Sequence, residues 1–176
     1  RIQLRSAAVT WRPTAPAVAT QDSTVPVVLF WGNSLLFDHG WQDPNFVAVN
    51  CAQQGMTAAD ALPRTTQLPT LPADAILIAF GSVELARSKA PTPAMFMEDV
   101  AAIVALLRSR HPNARIWLSG VPSTSSSPSE WHYTSTQALL FNTVLQEITG
   151  AEYMDLSDVL TRDVSDPHNY DGIHLS

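Results

Sequence analysis

The 176-residue sequence has little cysteine and little lysine, and it has no long apolar run. The single cysteine, Cys51, excludes an internal disulfide and leaves the cellular compartment open. Lys89 is the only lysine among 10 basic residues, the net charge is −6, and no basic stripe is visible, so nucleic acid is not an expected partner. No apolar stretch approaches the roughly 20 residues of a membrane-spanning helix, so no span is expected in this chain.

The composition, 45% hydrophobic and 15% charged, predicts one globular domain. Residues 1–24 contain prolines, alanines and threonines without a sustained period, which indicates an extended arm or linker before a domain at 25–176. The chain begins at Arg1 rather than Met, which suggests a processed chain whose signal or anchor has been removed. These features favour an exported protein, periplasmic or extracellular, and leave a cytoplasmic location open.

Short, nearly continuous apolar runs rich in Val, Ile and Phe are typical of strands buried on both faces. They cover residues 25–31, 46–49, 75–80 and 114–118, with a weaker fifth candidate at 152–155. Helical segments lie between them: Thr57 and Thr92 are predicted N-caps, and Gly150 closes a third helix. This alternation predicts a parallel sheet with right-handed crossovers and with its functional residues at the carboxyl ends of the strands.

Ser34, in the stretch WGNSLLF, directly follows the first predicted strand. A serine at such a place is commonly a helix N-cap, so the position alone does not predict catalysis. Near the other end, Asp171 and His174 are three residues apart, a spacing that lets the carboxylate reach one imidazole nitrogen while the other faces outward. A serine hydroxyl needs such a pair to become a nucleophile. The three residues are therefore a candidate triad, and a polar pair in a surface loop is the alternative for Asp171 and His174.

A metal site is a competing interpretation of the same loop. Asp166, His168, Asp171 and His174 lie close in sequence and could hold zinc through nitrogen and oxygen ligands. No cysteine or further histidine adds a known metal-ligand spacing. The triad is therefore the favoured interpretation of this loop, and the triad mechanism implies no metal and no organic cofactor.

Taken in order, Gly-Asn-Ser-Leu at 32–35, Asn50 with Gly55, and Asp171 with His174 resemble the motifs of the SGNH/GDSL hydrolase family. The resemblance covers residues 25–176. It implies an α/β fold, a three-layer α/β/α sandwich on a five-stranded parallel sheet, flavodoxin-like in outline. It also implies that Ser34 is the nucleophile and that the backbone N–H groups of Ser34 and Gly55 form the oxyanion hole.

One motif departs from the family's pattern. The third strand of the family ends in Gly-x-Asn-Asp, whose Asn side chain donates to the oxyanion, whereas this chain has Gly81-Ser82-Val83-Glu84. Val83 cannot donate, so the oxyanion position is degenerate there. Ser82 is a candidate substitute donor.

The resemblance implies a serine ester hydrolase that removes small acyl groups, with acetyl groups on carbohydrate as the expected substrate. The same triad could instead transfer the acyl group to a sugar hydroxyl. Val83 motivates a different class of function, a catalytically weak domain that binds a glycan or a protein. Oligomeric state is left open.

Overall fold

The computed structural model describes residues 25–37, 43–87, 90–124, 133–156 and 161–162, with only the backbone described at 123–124 and 161–162. The predicted arm at 1–24 lies outside these ranges.

The centre of the fold is a five-stranded sheet in which every neighbouring pair of strands is parallel. The strands are β1 (Val27–Gly32), β2 (Val47–Asn50), β3 (Ala75–Ala79), β4 (Arg115–Ser119) and β6 (Glu152–Met154), in the spatial order β2-β1-β3-β4-β6. This is the order of flavodoxin-like sheets, and all five predicted strands are confirmed. Two further short strands, β5 (Ser123–Thr124) and β7 (Thr161–Arg162), pair with each other and were not predicted, because two residues carry no readable period.

The described helices are α1 (Ser34–Phe37), α2 (Ala58–Thr65), α3 (Ser82–Ala86), α4 (Pro93–Arg110) and α5 (Ser135–Gln146). Thr57 and Thr92 are confirmed as N-caps, since each side chain accepts a hydrogen bond from the N–H of the third helical residue. The prediction that Gly150 closes the last helix is wrong: α5 ends at Gln146, and Gly150 lies in the turn that leads to β6.

Apolar side chains pack on both faces of the sheet. Along β1, Leu29 and Trp31 join the larger cluster, which includes residues of α2, α4 and α5, whereas Phe30 joins a smaller cluster with Leu36 of α1. This alternation follows from the pleat, in which successive side chains point to opposite faces. The sheet is therefore covered on both faces, which confirms the predicted three-layer α/β/α class. Within the described ranges, each helix falls short of the length and apolarity needed to cross a bilayer.

The register of the sheet brings two chain segments side by side at its carboxyl edge. Gly32, the last residue of β1, is paired with Ala79, the last residue of β3. A Cβ atom on Gly32 would collide with the carbonyl oxygen of Ala79, so only glycine allows this approach. The turn that carries Ser34 is therefore packed against the end of β3.

We predict that Gly32→Ala lowers the free energy of unfolding by about 2–3 kcal/mol, because the added methyl group must displace backbone. The comparison variant is Gly150→Ala, where the nearest atom to a new Cβ is Val104 Cγ1 at 3.6 Å. It should lose only about 1 kcal/mol through backbone strain at a positive φ. Urea unfolding midpoints measure both, and equal losses would contradict the collision with Ala79.

Candidate active site

Ser34 lies at the carboxyl edge of the sheet, as the sequence predicted. β1 ends at Gly32, and Ser34 is the first residue of α1. Between them, the Asn33 N–H donates to the carbonyl oxygen of Ala79 at 3.1 Å, which ties this turn to β3. The Ser34 residue is only 8% exposed.

Asn33, not Ser34, is the N-cap of α1. The Asn33 Oδ1 accepts a hydrogen bond from the Leu35 N–H at 3.0 Å, the bond that defines a side-chain cap. The interpretation of Ser34 as a capping residue is therefore wrong. Within the described part of the chain, the Ser34 hydroxyl has no hydrogen-bond partner. A structural hydrogen bond among these residues therefore does not explain why a serine stands here.

The main-chain N–H groups of Ser34 and Gly55 also have no acceptor among the described residues. In α1, the N–H groups of Leu36 and Phe37 donate to the Asn33 carbonyl oxygen at 3.1 and 3.2 Å, but the Ser34 N–H donates to no described atom. The Gly55 N–H likewise has no acceptor among the residues described. These are the two amides that the resemblance assigns to the oxyanion hole.

The loop that carries Gly55 is fixed to the turn around Ser34 by Asn50 and Gln53. The Asn50 Nδ2 donates to the carbonyl oxygen of Leu36 at 2.8 Å, and its Oδ1 accepts from the Ala52 N–H at 3.0 Å. The Gln53 N–H donates to the Gly32 carbonyl oxygen at 2.9 Å. Gly55 itself is exposed with φ +69°, a conformation that suits glycine. Its position therefore depends on the bonds of its neighbours and on a 3.4 Å bond from the Arg87 Nη2 to its own carbonyl oxygen.

A buried hydrogen bond links Asn33 to Ser82. The Asn33 Nδ2 donates to the Ser82 Oγ at 3.1 Å, and both residues are buried, Asn33 at 0% exposure. The direction of this bond follows from the cap, since the Leu35 N–H needs the amide oxygen and leaves only the amide nitrogen to face Ser82. Ser82 is therefore the acceptor, and its own proton has no acceptor among the described residues.

Val83 and Glu84 follow Ser82 in α3 and differ in their environments. Val83 is half-buried, whereas Glu84 is only 2% exposed. The Glu84 carboxylate accepts from the Gly81 N–H at 2.8 Å and from the Ala58 N–H at 2.6 Å. Burial raises the pKa of Glu84, and these two backbone donors oppose that rise.

Cys51 follows β2 and is buried in the larger core cluster. Burial raises the pKa of its thiol to about 11, so the thiol stays protonated at neutral pH. Ser34 is therefore the better candidate nucleophile at this edge of the sheet.

Asp171 and His174 lie outside the described residues, as do Asp166 and His168 of the metal alternative. The triad and the metal site therefore both stay predictions. Of the predicted site residues, the structure brings Ser34, Ser82 and the Gly55 loop to one edge of the sheet.

A family model described as the GDSL-like lipase/acylhydrolase family matches residues 18–176. The chain belongs to this family. Its members are named for acyl ester hydrolysis, and the chain is by class a carboxylic ester hydrolase. No curated protein matches the chain in sequence.

Solved structures of GDSL-like and esterase proteins share the fold. A GDSL-like lipase from Bacteroides thetaiotaomicron has a TM-score of 0.70 at 15% identity, over 91% of this chain and 84% of that one. The carbohydrate acetylesterase Est24 from Sinorhizobium meliloti has a TM-score of 0.65 at 15% identity, over 86% and 91%. The psychrotrophic esterase EstA from Pseudoalteromonas, in a structure inhibited by monoethylphosphonate, has a TM-score of 0.61 at 20% identity, over 85% and 87%. At these identities the likeness shows a common fold.

Within this GDSL-like chain, two roles were missed from the sequence. Asn33 has one of these roles, and its signal in the sequence is a capping side chain immediately before Ser34. Glu84 follows Gly81 by three residues, the spacing of a capping box, in which the third helical residue reaches back to the N-cap N–H. Gly81 has no side chain to accept from the Glu84 N–H, so only half of the capping box is present and the sequence does not predict α3 from it.

We predict that Ser82→Ala lowers the free energy of unfolding by about 1–3 kcal/mol, because the buried Asn33 amide loses its acceptor. The matched control is Ser119→Ala at the end of β4. Ser119 is also buried, but its hydroxyl donates to the neighbouring Gly120 carbonyl at 3.1 Å, so its removal leaves no donor unpaired. Urea unfolding should show the larger loss in Ser82→Ala. A loss no greater than that of the control would contradict the direction of the Asn33–Ser82 bond.

Proposed function

We propose that this chain is a serine acylhydrolase in which Ser34 attacks the ester carbonyl, His174 takes the hydroxyl proton and Asp171 orients His174. The proton then passes to the leaving alcohol, and the acyl group remains on Ser34. Water, deprotonated by His174, releases the acid and restores the serine. The N–H groups of Ser34 and Gly55 stabilise the negative oxygen of each tetrahedral intermediate.

The observation that supports this proposal is that Asn33 caps the helix and Ser34 does not. Asn33 caps α1, so the Ser34 hydroxyl is left without a partner among the described residues at the edge where parallel sheets place function. The N–H groups of Ser34 and Gly55 also donate to no acceptor among the described residues. An acyl-transfer site requires a free hydroxyl and free amide donors, and the Ser34 turn and the Gly55 loop supply both at one edge of the sheet.

Ser82 is the proposed third donor to the oxyanion in place of the absent Asn. The support is the direction of its bond with Asn33, which leaves the hydroxyl proton available. Removal of one oxyanion donor lowers kcat by about 10²–10³ in a well-studied protease. A comparable loss of kcat in folded Ser82→Ala supports donation, and an unchanged kcat shows that Ser82 only holds Asn33.

The proposed substrate is an ester of a small acyl group, with acetylated carbohydrate as the first class to test. The carbohydrate acetylesterase Est24 has the same fold and supports this choice. A comparison of p-nitrophenyl esters of increasing acyl length, followed by acetylated sugars, measures the preference.

We predict that wild type hydrolyses p-nitrophenyl acetate and that Ser34→Ala loses at least about 10³-fold in kcat, because no other group replaces the nucleophile. The matched control is Ser109→Ala on the exposed surface of α4, where the hydroxyl donates to the Leu106 carbonyl oxygen. The control should keep wild-type activity. Equal rates in wild type and Ser34→Ala would overturn the serine mechanism.

A fluorophosphonate probe separates an enzyme from a binding domain. The inhibition of EstA by monoethylphosphonate supports this choice of probe. We expect the probe to label wild type at Ser34, located by peptide mass spectrometry, and to leave Ser34→Ala unlabelled. A folded wild type that stays unlabelled and hydrolyses no ester would favour the glycan- or protein-binding domain that Val83 motivates. Acyl transfer would appear as an acylated sugar product when a sugar acceptor is present.

A further inference from the structure

The Glu84 side chain joins two chain segments that are far apart in sequence. One carboxylate oxygen accepts from the Gly81 N–H at 2.8 Å, in the turn after β3. The other accepts from the Ala58 N–H at 2.6 Å, at the first residue of α2. Ala58 follows Gly55 closely in the chain, so the carboxylate reaches the loop that carries the proposed oxyanion donor.

Burial makes this carboxylate costly to the fold. At 2% exposure the charged form is poorly solvated, and burial raises the pKa of Glu84. The nearby cation Arg87 is exposed and forms its salt bridge with Asp60 at 3.1 Å. The Gly81 and Ala58 N–H groups are the main-chain donors that Glu84 meets in other residues, and they lower its pKa together with its own N–H and the charge of Arg87.

The start of α2 does not need Glu84 as a cap. Thr57 and Asp60 already form a capping box, with the Thr57 Oγ1 accepting from the Asp60 N–H at 3.1 Å and the Asp60 Oδ2 accepting from the Thr57 N–H at 3.4 Å. What Glu84 adds is a bond between this helix start and the turn after β3. Arg87 makes a second link between the same segments, since its Nη2 donates to the Gly55 carbonyl oxygen at 3.4 Å.

We propose that Glu84 is a positioning residue of the oxyanion hole, which holds the Gly55 loop against the turn after β3. Gly55 is exposed and has no side chain to pack, so its N–H is aimed by the bonds on either side of it. Gln53 is bonded to Gly32 on one side, and Ala58 is bonded to Glu84 on the other. This proposal rests on the proposed function. The third motif lacks the Asn donor. In this proposal its Glu84 instead holds in place the Gly55 N–H, which is the donor from the second motif.

The test is Glu84→Gln in the full chain. The amide keeps the shape of the carboxylate, but its NH₂ group faces one of the two N–H donors and cannot accept from it. We expect kcat for p-nitrophenyl acetate to fall by about 10–100-fold, with KM within about twofold, because misplacing an oxyanion donor affects the transition state more than the ground state. The rate of Ser34 phosphonylation by a fluorophosphonate should fall in parallel.

The matched control is Glu98→Gln, an exposed residue of α4, which should leave both rates unchanged. A folded Glu84→Gln protein with wild-type kcat overturns the proposal, even if its unfolding midpoint falls. If Glu84→Gln does not fold, Glu84→Asp is the second variant: it keeps the charge but is one methylene shorter, so it cannot accept from both the Ala58 and the Gly81 N–H groups. It should lower kcat by about 2–5-fold, in the range of a weakened charge-assisted bond, and a folded Glu84→Asp protein with wild-type kcat overturns the proposal.

Amide hydrogen exchange makes failure of this proposal distinguishable from failure of the proposed function. If Glu84 links the two segments, Glu84→Gln speeds exchange at the Ala58 amide or at the Gly81 amide, whether or not the protein hydrolyses esters. Faster exchange at either amide in a protein without Ser34-dependent activity supports the link and contradicts its catalytic role. Unchanged exchange at both amides overturns the link itself.

Discussion

The buried side chain of Asn33 holds the candidate site together, because one amide group serves two segments. Its oxygen accepts from the Leu35 N–H and so begins α1, while its nitrogen donates to Ser82 at the start of α3. At 0% exposure neither bond can be exchanged for water without leaving a buried polar atom unpaired. The position of Ser34 between these bonds follows from them.

Asparagine suits this place for a reason of hydrogen-bond chemistry. An aspartate could accept from Leu35 but could meet Ser82 only by accepting the serine's proton. The amide instead donates to Ser82 and leaves that proton free. Ser82 thus contacts Asn33 of the first motif and directly precedes Val83, the position at which the third motif lacks its Asn donor.

Side chains that bond to backbone help to hold the loops around Ser34. Asn50 donates to the Leu36 carbonyl oxygen at the end of α1, and Glu84 accepts from Ala58 and Gly81. Such bonds set the positions of main-chain atoms directly. An oxyanion hole made of amides requires this, because its donors stabilise charge only if they are already aimed when the charge develops.

The sequence by itself determined the order and type of the main elements and the location of Ser34 at the end of β1. These depend on local patterns, namely apolar runs for β1 to β4 and capping threonines for α2 and α4, which the surrounding structure reinforces. It did not determine the short elements α3, β5 and β7, because a few residues carry no period. Only the tertiary structure decided that Asn33 caps α1 in place of Ser34, that its amide nitrogen faces Ser82, and that Glu84 meets the N–H of a residue 26 positions away. The physical reason is that each depends on the direction of a hydrogen bond between segments that only the folded sheet brings within reach.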